Sequence, residues 1–554
     1  MNKSNNKGTN FLVQGSILAI ASIVSRVIGL IYRIPMTNII GDLGNNYYGC
    51  AFDIYNVMLI ISSYSLPLAV AKLVSEQMAN GRRKMAYQVF KCAMLFAIIA
   101  GAVCALIVYF GADFFTSSLL KTPNSLFALQ ILAPALIIVA VLGVIRGFFQ
   151  GIGTMIPSAI SQVIEQIVNA IVSVWAAYVL YQYGSKIGKV LGNEKQYAAA
   201  YGAAGGTLGT NLGSVAGLLF VLVVFMTYMK VFKRQMRRER KSKTASLLYT
   251  FRILIATILP VLLSTIVYSI AGILDQGIFK NVALLQGYSE NDIDIWWGVF
   301  SGKYKLMINV PISIASALAA SSVPSLTAAY TEGDMDKVRY QINAAMRFIM
   351  IVALPCTVGL AVLARPIFAI LFPGTIETLD LAVMMMVVGA CAVVFYSVST
   401  LSNGLLQGIN RLKEPVTNGA FALVAHIVVL VVLMMFFRMN IYAVVIANAF
   451  LGLLMCFLNG MAIKKYSKYH QEVVKTFLIP GICSAIMGII CYLVYHGLYA
   501  VTSQIYIAFL AAFVIAVFVY AVSLLLLKGL TEDEIRHFPK GDSLVKVAKK
   551  FHLL

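Results

Sequence analysis

The first candidates for chemistry are two arginines, Arg26 and Arg33, set in one apolar stretch. They stand seven residues apart, nearly two helical turns, so both guanidinium groups leave the same helix face. A charge in hydrocarbon costs about 3 kcal/mol or more unless it meets a partner or an aqueous cavity, which makes each intramembrane charge a candidate site. Further cations follow: Lys72 on the second apolar run, and Lys303 and Lys305 where the eighth opens. A cavity lined by such groups takes an anion, and the planar fork of arginine suits phosphate or pyrophosphate oxygens. The plainer reading is that a long side chain snorkels and sets its charge at the membrane surface. Lys303 and Lys305 fit that reading best, Arg33 less so, and Arg26 lies too deep for it.

Asp275, late in the seventh run, is the clearest intramembrane carboxylate. It suits a cation, a proton relay or an ion pair with Lys280. Asp53, near the outer end of the second run, is placed to pair with Arg33. Glu165 stands beside Gln162, Gln166 and Asn169, where a polar contact between helices is the plain account. His426 is intramembrane without ligand spacing. The eight cysteines contain no C-x-x-C pair and read as small hydrophobes. Gly184 to Lys189 has the wrong spacing for a phosphate loop. No metal site, catalytic group or nucleotide site is expected, so transport driven by a gradient fits better than an enzyme.

The elements that must hold these residues are membrane helices. Of 554 residues 60% are hydrophobic and 12% charged, with a mean hydropathy of +0.86, far from a soluble composition. Apolar runs of spanning length occur at 11–38, 47–76, 86–112, 125–148, 157–181, 202–229, 250–280, 295–328, 342–364, 379–407, 415–437, 441–463, 474–498 and 503–528. The fold expected is all-α and integral to the membrane, with about fourteen transmembrane helices. The first run is too long for a signal peptide and is read as a retained helix behind Lys3 and Lys7. The net charge of +21 sits mainly in short loops, as topology signals and contacts to anionic lipid rather than to nucleic acid. Loops 81–84, 230–243, 411–413 and 464–468 are basic and alternate with loops nearly free of positive charge, which places both termini in the cytoplasm.

Two halves share a pattern. Gly147-Phe-Phe-Gln-Gly-Ile precedes Pro157, and Gly404-Leu-Leu-Gln-Gly-Ile, 257 residues later, precedes Pro415. Gly81 with Gly333 and Met94 with Met346 match at an offset of 252. Order and membrane side are kept, so the repeat is parallel, and transporters of that kind bind substrate between the lobes. The division expected is a first lobe of six helices at 1–229, a basic linker at 230–249, a second six-helix lobe at 250–465, and two further helices with a cytoplasmic tail at 466–554.

Ser25-Arg26-Val-Ile-Gly-Leu-Ile-Tyr-Arg33-Ile-Pro35, followed by Gly41-Asp42 and Tyr47-Tyr48-Gly49, closely resembles the opening of the stage V sporulation protein B and YtgP group. These are MurJ-like members of the multidrug/oligosaccharidyl-lipid/polysaccharide exporter superfamily, and the resemblance extends over essentially the whole chain. It implies a flippase of the bacterial plasma membrane that moves lipid II, the undecaprenyl-pyrophosphate-linked peptidoglycan precursor, to the outer leaflet by alternating access. It further implies that Ser25, Arg26, Arg33 and Lys305 belong to a cationic substrate cavity, with lysine at 305 where the family has arginine. Asp275 matches an aspartate associated with sodium, although residues 415–437 lack the second carboxylate, so Na+ and H+ coupling both stand. Lys72 joins the substrate-binding set on its charge alone. Partners implied are the polyprenyl-pyrophosphate-linked saccharide and the wall-synthesis machinery. The alternatives are a flippase for a teichoic, capsular or spore glycan, a multidrug cation antiporter, a non-transporting scaffold, and a membrane glycosyltransferase. The antiporter would prefer an acidic, aromatic cavity and twelve helices. The scaffold leaves the buried arginines unexplained, and no paired acidic motif supports the glycosyltransferase.

Overall fold

Among the residues described by the computed structural model, 2–237, 239 and 246–529, every regular element is a helix. Run length dictates this, because a single segment in hydrocarbon can pair its own N–H and C=O groups only as a helix. The side chains of Lys3 and Lys7, most of 238–245 and the tail from 530 lie outside the described residues. The chain divides into two compact units, Met1–Gly302 and Lys303–Leu554.

The first unit holds α1 (Asn2–Leu59), α2 (Leu66–Ala79), α3 (Arg83–Asp113), α4 (Leu126–Gly151), α5 (Ile156–Leu191), α6 (Glu194–Arg237), α7 (Leu247–Leu285) and α8 (Glu290–Val299). The repeat in sequence assigns α7 and α8 to the second set of six helices, yet they pack within the first unit. An unbroken α1 would run about 87 Å, nearly three times the bilayer core. Gly41 breaks it at φ 69°, ψ −176°, a backbone region open almost only to glycine. That break separates the first two expected spans.

The second unit holds α9 (Lys305–Glu332), α10 (Met335–Val362), α11 (Ala364–Leu371), α12 (Leu379–Gly389), α13 (Ala392–Gly408), α14 (Lys413–Met435), α15 (Ile441–Ser467), α16 (Ile479–Thr502) and α17 (Ile505–Leu526). α16 and α17 pair with each other and lean on α10. The Tyr520 hydroxyl donates to the Ile351 carbonyl at 2.8 Å, and Arg347 donates to the Gly529 carbonyl at 3.0 Å. His426 is fully buried and its Nδ1 lies 2.8 Å from the Ala447 carbonyl, so it ties α14 to α15.

Fourteen spans were expected. Among the described residues eleven helices are long and apolar enough to cross a membrane, or twelve with the pair Pro373–Gly389 and Ala392–Gly408, bent by 52°, taken as one. The difference arises where apolar runs are fused or cut short. Ile20–Ala79 runs as one stretch across Gly41, and in α7 the described side chains are interrupted between 260 and 268, so only Leu247–Leu259 stands there as a shorter apolar helix.

Close approach explains the repeated Gly-x-x-Gln-Gly motif. A Cβ on Gly147 would stand 2.6 Å from the Pro67 carbonyl oxygen, and one on Gly151 2.7 Å from Val74 Cβ. In the second unit a Cβ on Gly404 would stand 2.8 Å from Ala319 Cβ, and one on Gly408 2.8 Å from Leu326 Cδ2. Ala319 and Leu326 follow Pro67 and Val74 by 252 residues, the offset already seen at Gly81 and Gly333. The same positions therefore meet in each unit, and the motif is a helix-packing device.

Candidate functional site

α1 packs on α5 through polar contacts. The Ser22 hydroxyl donates to Gln162 Oε1 at 3.2 Å, and Asn169 Nδ2 donates to the Tyr32 hydroxyl oxygen at 3.3 Å. Away from that contact Ile20, Ile23, Val24, Val27 and Ile31 are exposed, a row suited to lipid. A separation of seven residues turns a helix by about 20° from coincidence. Arg26 and Arg33 therefore form one strip on the flank between the α5 contact and the lipid-type row.

Along that strip Arg26 is exposed and Arg33 is half-buried. The Arg33 guanidinium carbon lies 4.5 Å from the centroid of the Tyr48 ring, within cation–π range. Tyr48 is fixed in turn by stacking on Phe52 at 4.6 Å. A guanidinium laid on a ring presents its in-plane N–H donors edgewise, which is the geometry that reads paired anionic oxygens. The partner given to Arg33 is thus a ring, where the sequence offered Asp53; Asp53 sits instead beside Gly272 of α7. The Ser25 hydroxyl is buried with no protein partner among the described residues, leaving both donor and acceptor capacity beside Arg26.

Lys72 lies exposed on α2, off the α1 strip. In the second unit Lys305 is half-buried at the start of α9. Its neighbour Lys303 does not snorkel to an interface. It is 1% exposed, and its Nζ donates to the Thr375 carbonyl at 3.2 Å and to the Thr378 hydroxyl at 2.6 Å. Asp275 is buried on α7. Lys280, proposed from sequence as its partner, pairs with Asp294 at 2.7 Å.

The sequence reading missed Arg146. Its guanidinium pairs with Glu165 at 2.8 Å and donates to the Ser161 hydroxyl at 2.8 Å, joining α4 to α5. The signal was the lone Glu165 among amides, an acid in a span with no cation assigned to it.

The sequence profile of the family described as "Polysaccharide biosynthesis protein" matches residues 12–330, more than half the chain. The chain belongs to the polysaccharide biosynthesis protein family. The matched region of this family includes Ser25, Arg26, Arg33, Lys72, Asp275 and Lys305. The "Lipid II flippase MurJ" of Bacillus subtilis strain 168 is 25% identical over 491 residues, 86% of this chain and 87% of that one. "Stage V sporulation protein B" of the same organism is 26% identical over 141 residues, 26% of this chain and 27% of that one. The solved structure "Lipid II flippase MurJ, inward closed conformation" superposes with a TM-score of 0.66 at 16% identity, covering 91% of this chain and 97% of that one, which shows a shared fold. This family member is a multi-pass membrane protein, homologous to flippases rather than to enzymes.

Proposed function

We propose that the chain carries lipid II, the undecaprenyl-pyrophosphate-linked peptidoglycan precursor, to the outer leaflet by alternating access. The observation that carries this reading is the likeness to the Bacillus subtilis lipid II flippase over 86% of the chain. The α1 strip supports it chemically. Arg26 and Arg33 can bind pyrophosphate oxygens, Ser25 can hydrogen-bond beside them, and Lys72 adds positive charge to the first unit. Lys305 is the candidate anion ligand of the second unit. Asp275 is the candidate for ion coupling. A hard cation needs several oxygen ligands at once, and residues 415–437 supply no second carboxylate. Asp275 lies one turn from Gly272, which Asp53 adjoins, so H+ and Na+ coupling both stand in this reading. The reading includes a plasma-membrane location with both termini in the cytoplasm. A second reading, a flippase for another polyprenyl-pyrophosphate-linked glycan, draws support from the family description and from the match to stage V sporulation protein B.

Complementation in a strain depleted of its native lipid II flippase tests the proposal, scoring growth and surface exposure of lipid II. The wild-type chain restores both, and Arg26→Ala restores neither while reaching the membrane at normal level. Failure of the wild-type chain to rescue, with the protein in the membrane, would move the substrate to teichoic, capsular or spore glycan. Full activity of Arg26→Ala would remove the α1 strip from the mechanism.

A further inference from the structure

At the end of the first unit away from the basic loops, Lys280 of α7 is 1% exposed. Its ammonium donates to Asn46 Oδ1 at 2.9 Å, to the Thr122 hydroxyl, and to Asp294 Oδ1 at 2.7 Å. Those partners lie on α1 just past the Gly41 break, in the turn before α4, and on α8. One buried charge thus ties four segments together.

Two further observations bear on what this tie does. The seam between α1 and the stretch from α8 to residue 302 is lined by small residues: Gly298 abuts the Asp42 backbone, Gly302 abuts Asn45, and a Cβ on Gly49 would stand 3.3 Å from Ser301 Cβ. Such a seam can part without disengaging interlocked side chains. Around it Asn46 Nδ2 and both amide atoms of Gln276 are buried without a protein partner among the described residues. A permanent closure is better made of apolar side chains, since replacing a buried ion pair by them is often neutral or stabilising. Orphaned polar groups instead lower the cost of admitting water when the seam opens.

We propose that Lys280, Asp294, Asn46 and Thr122 form a reversible latch that shuts this end of the first unit. Its purpose rests on the transport reading, but its test does not. Cys50, fully buried beside Lys280 and Ser125, reports the state of the latch. In a chain keeping Cys50 as its single thiol, held in lipid nanodiscs, labelling by a polar maleimide is slow but measurable. Lys280→Met and Asp294→Asn each raise the labelling rate about ten-fold. The apolar pair Lys280→Met with Asp294→Leu labels more slowly than wild type, because the closure no longer has a charge to release. Arg347→Met, which removes a buried cation from the second unit, leaves the rate unchanged and separates the effect from general loosening. An unchanged rate in Lys280→Met, or fast labelling in the apolar pair with its thermal unfolding intact, overturns the latch.

Discussion

Arg33 and Arg26 share a strip of α1, but only Arg33 is held by a ring. Its plane is set before any anion arrives, so less freedom is lost on binding than for a mobile cation. Arg33→Lys keeps the charge and loses both the fork and the stack. Flipping should fall about ten-fold, equivalent to about 1.4 kcal/mol, with the protein at normal level in the membrane. Wild-type transport of labelled precursor by Arg33→Lys in proteoliposomes would reduce the residue to a point charge. The strip itself was legible in the sequence, because a seven-residue spacing on a helix fixes a common face. The ring was not, since Tyr48 lies beyond the Gly41 break and meets Arg33 only after the chain turns. Lys303 misled for a related reason. Whether a lysine snorkels or is buried depends on carbonyl and hydroxyl partners 72 and 75 residues away.

At the scale of elements, glycine placement separates contact faces from lipid faces. Replacing a helix-interior glycine by alanine ordinarily stabilises by up to about 1 kcal/mol. At Gly147 and Gly404 the added methyl meets backbone or a rigid Cβ closer than contact allows, and overpacking of that kind costs about 1–3 kcal/mol. The signs should therefore divide. Gly147→Ala and Gly404→Ala each lower the melting temperature of detergent-solubilised protein, whereas Gly460→Ala, with nothing within 4 Å of its Cβ, holds or raises it. Equal behaviour of all three would show that the motif does not set helix approach. The motif and its offset were readable from sequence, but its partners were not, because Pro67 and Ala319 carry no mark of contact. The Arg146–Glu165 pair escaped for the same reason: Arg146 adjoins the motif near a helix end, where an arginine ordinarily faces water.

For the whole molecule, charge asymmetry predicts orientation, and each unit gathers its basic loops at one end. The Lys84 amide N–H donates to Glu239 Oε2 at 3.0 Å, joining the 81–84 loop to the linker after α6. In the second unit Arg411 lies 4.1 Å from the centroid of Tyr466, joining the loop before α14 to the end of α15. The end of the first unit opposite its basic loops is where Asn46, Thr122 and Asp294 gather around Lys280. This alternation requires that the break at Gly41 return the chain across the membrane. A helix uninterrupted there would put the 81–84 loop on the side opposite the N-terminus. Run lengths and loop charges made that arrangement legible, while the division at 302 depends on side-chain contacts of α7 and α8 that no local pattern announces. Reporter fusions decide the orientation. Alkaline phosphatase inserted after Lys121 should be active and after Gly81 inactive, and a green fluorescent protein at the C-terminus should fluoresce. Activity at both insertion points would mean that α3 does not cross the membrane, and the reversed pattern, with the C-terminal reporter still fluorescent, would mean that Gly41 does not separate two spans.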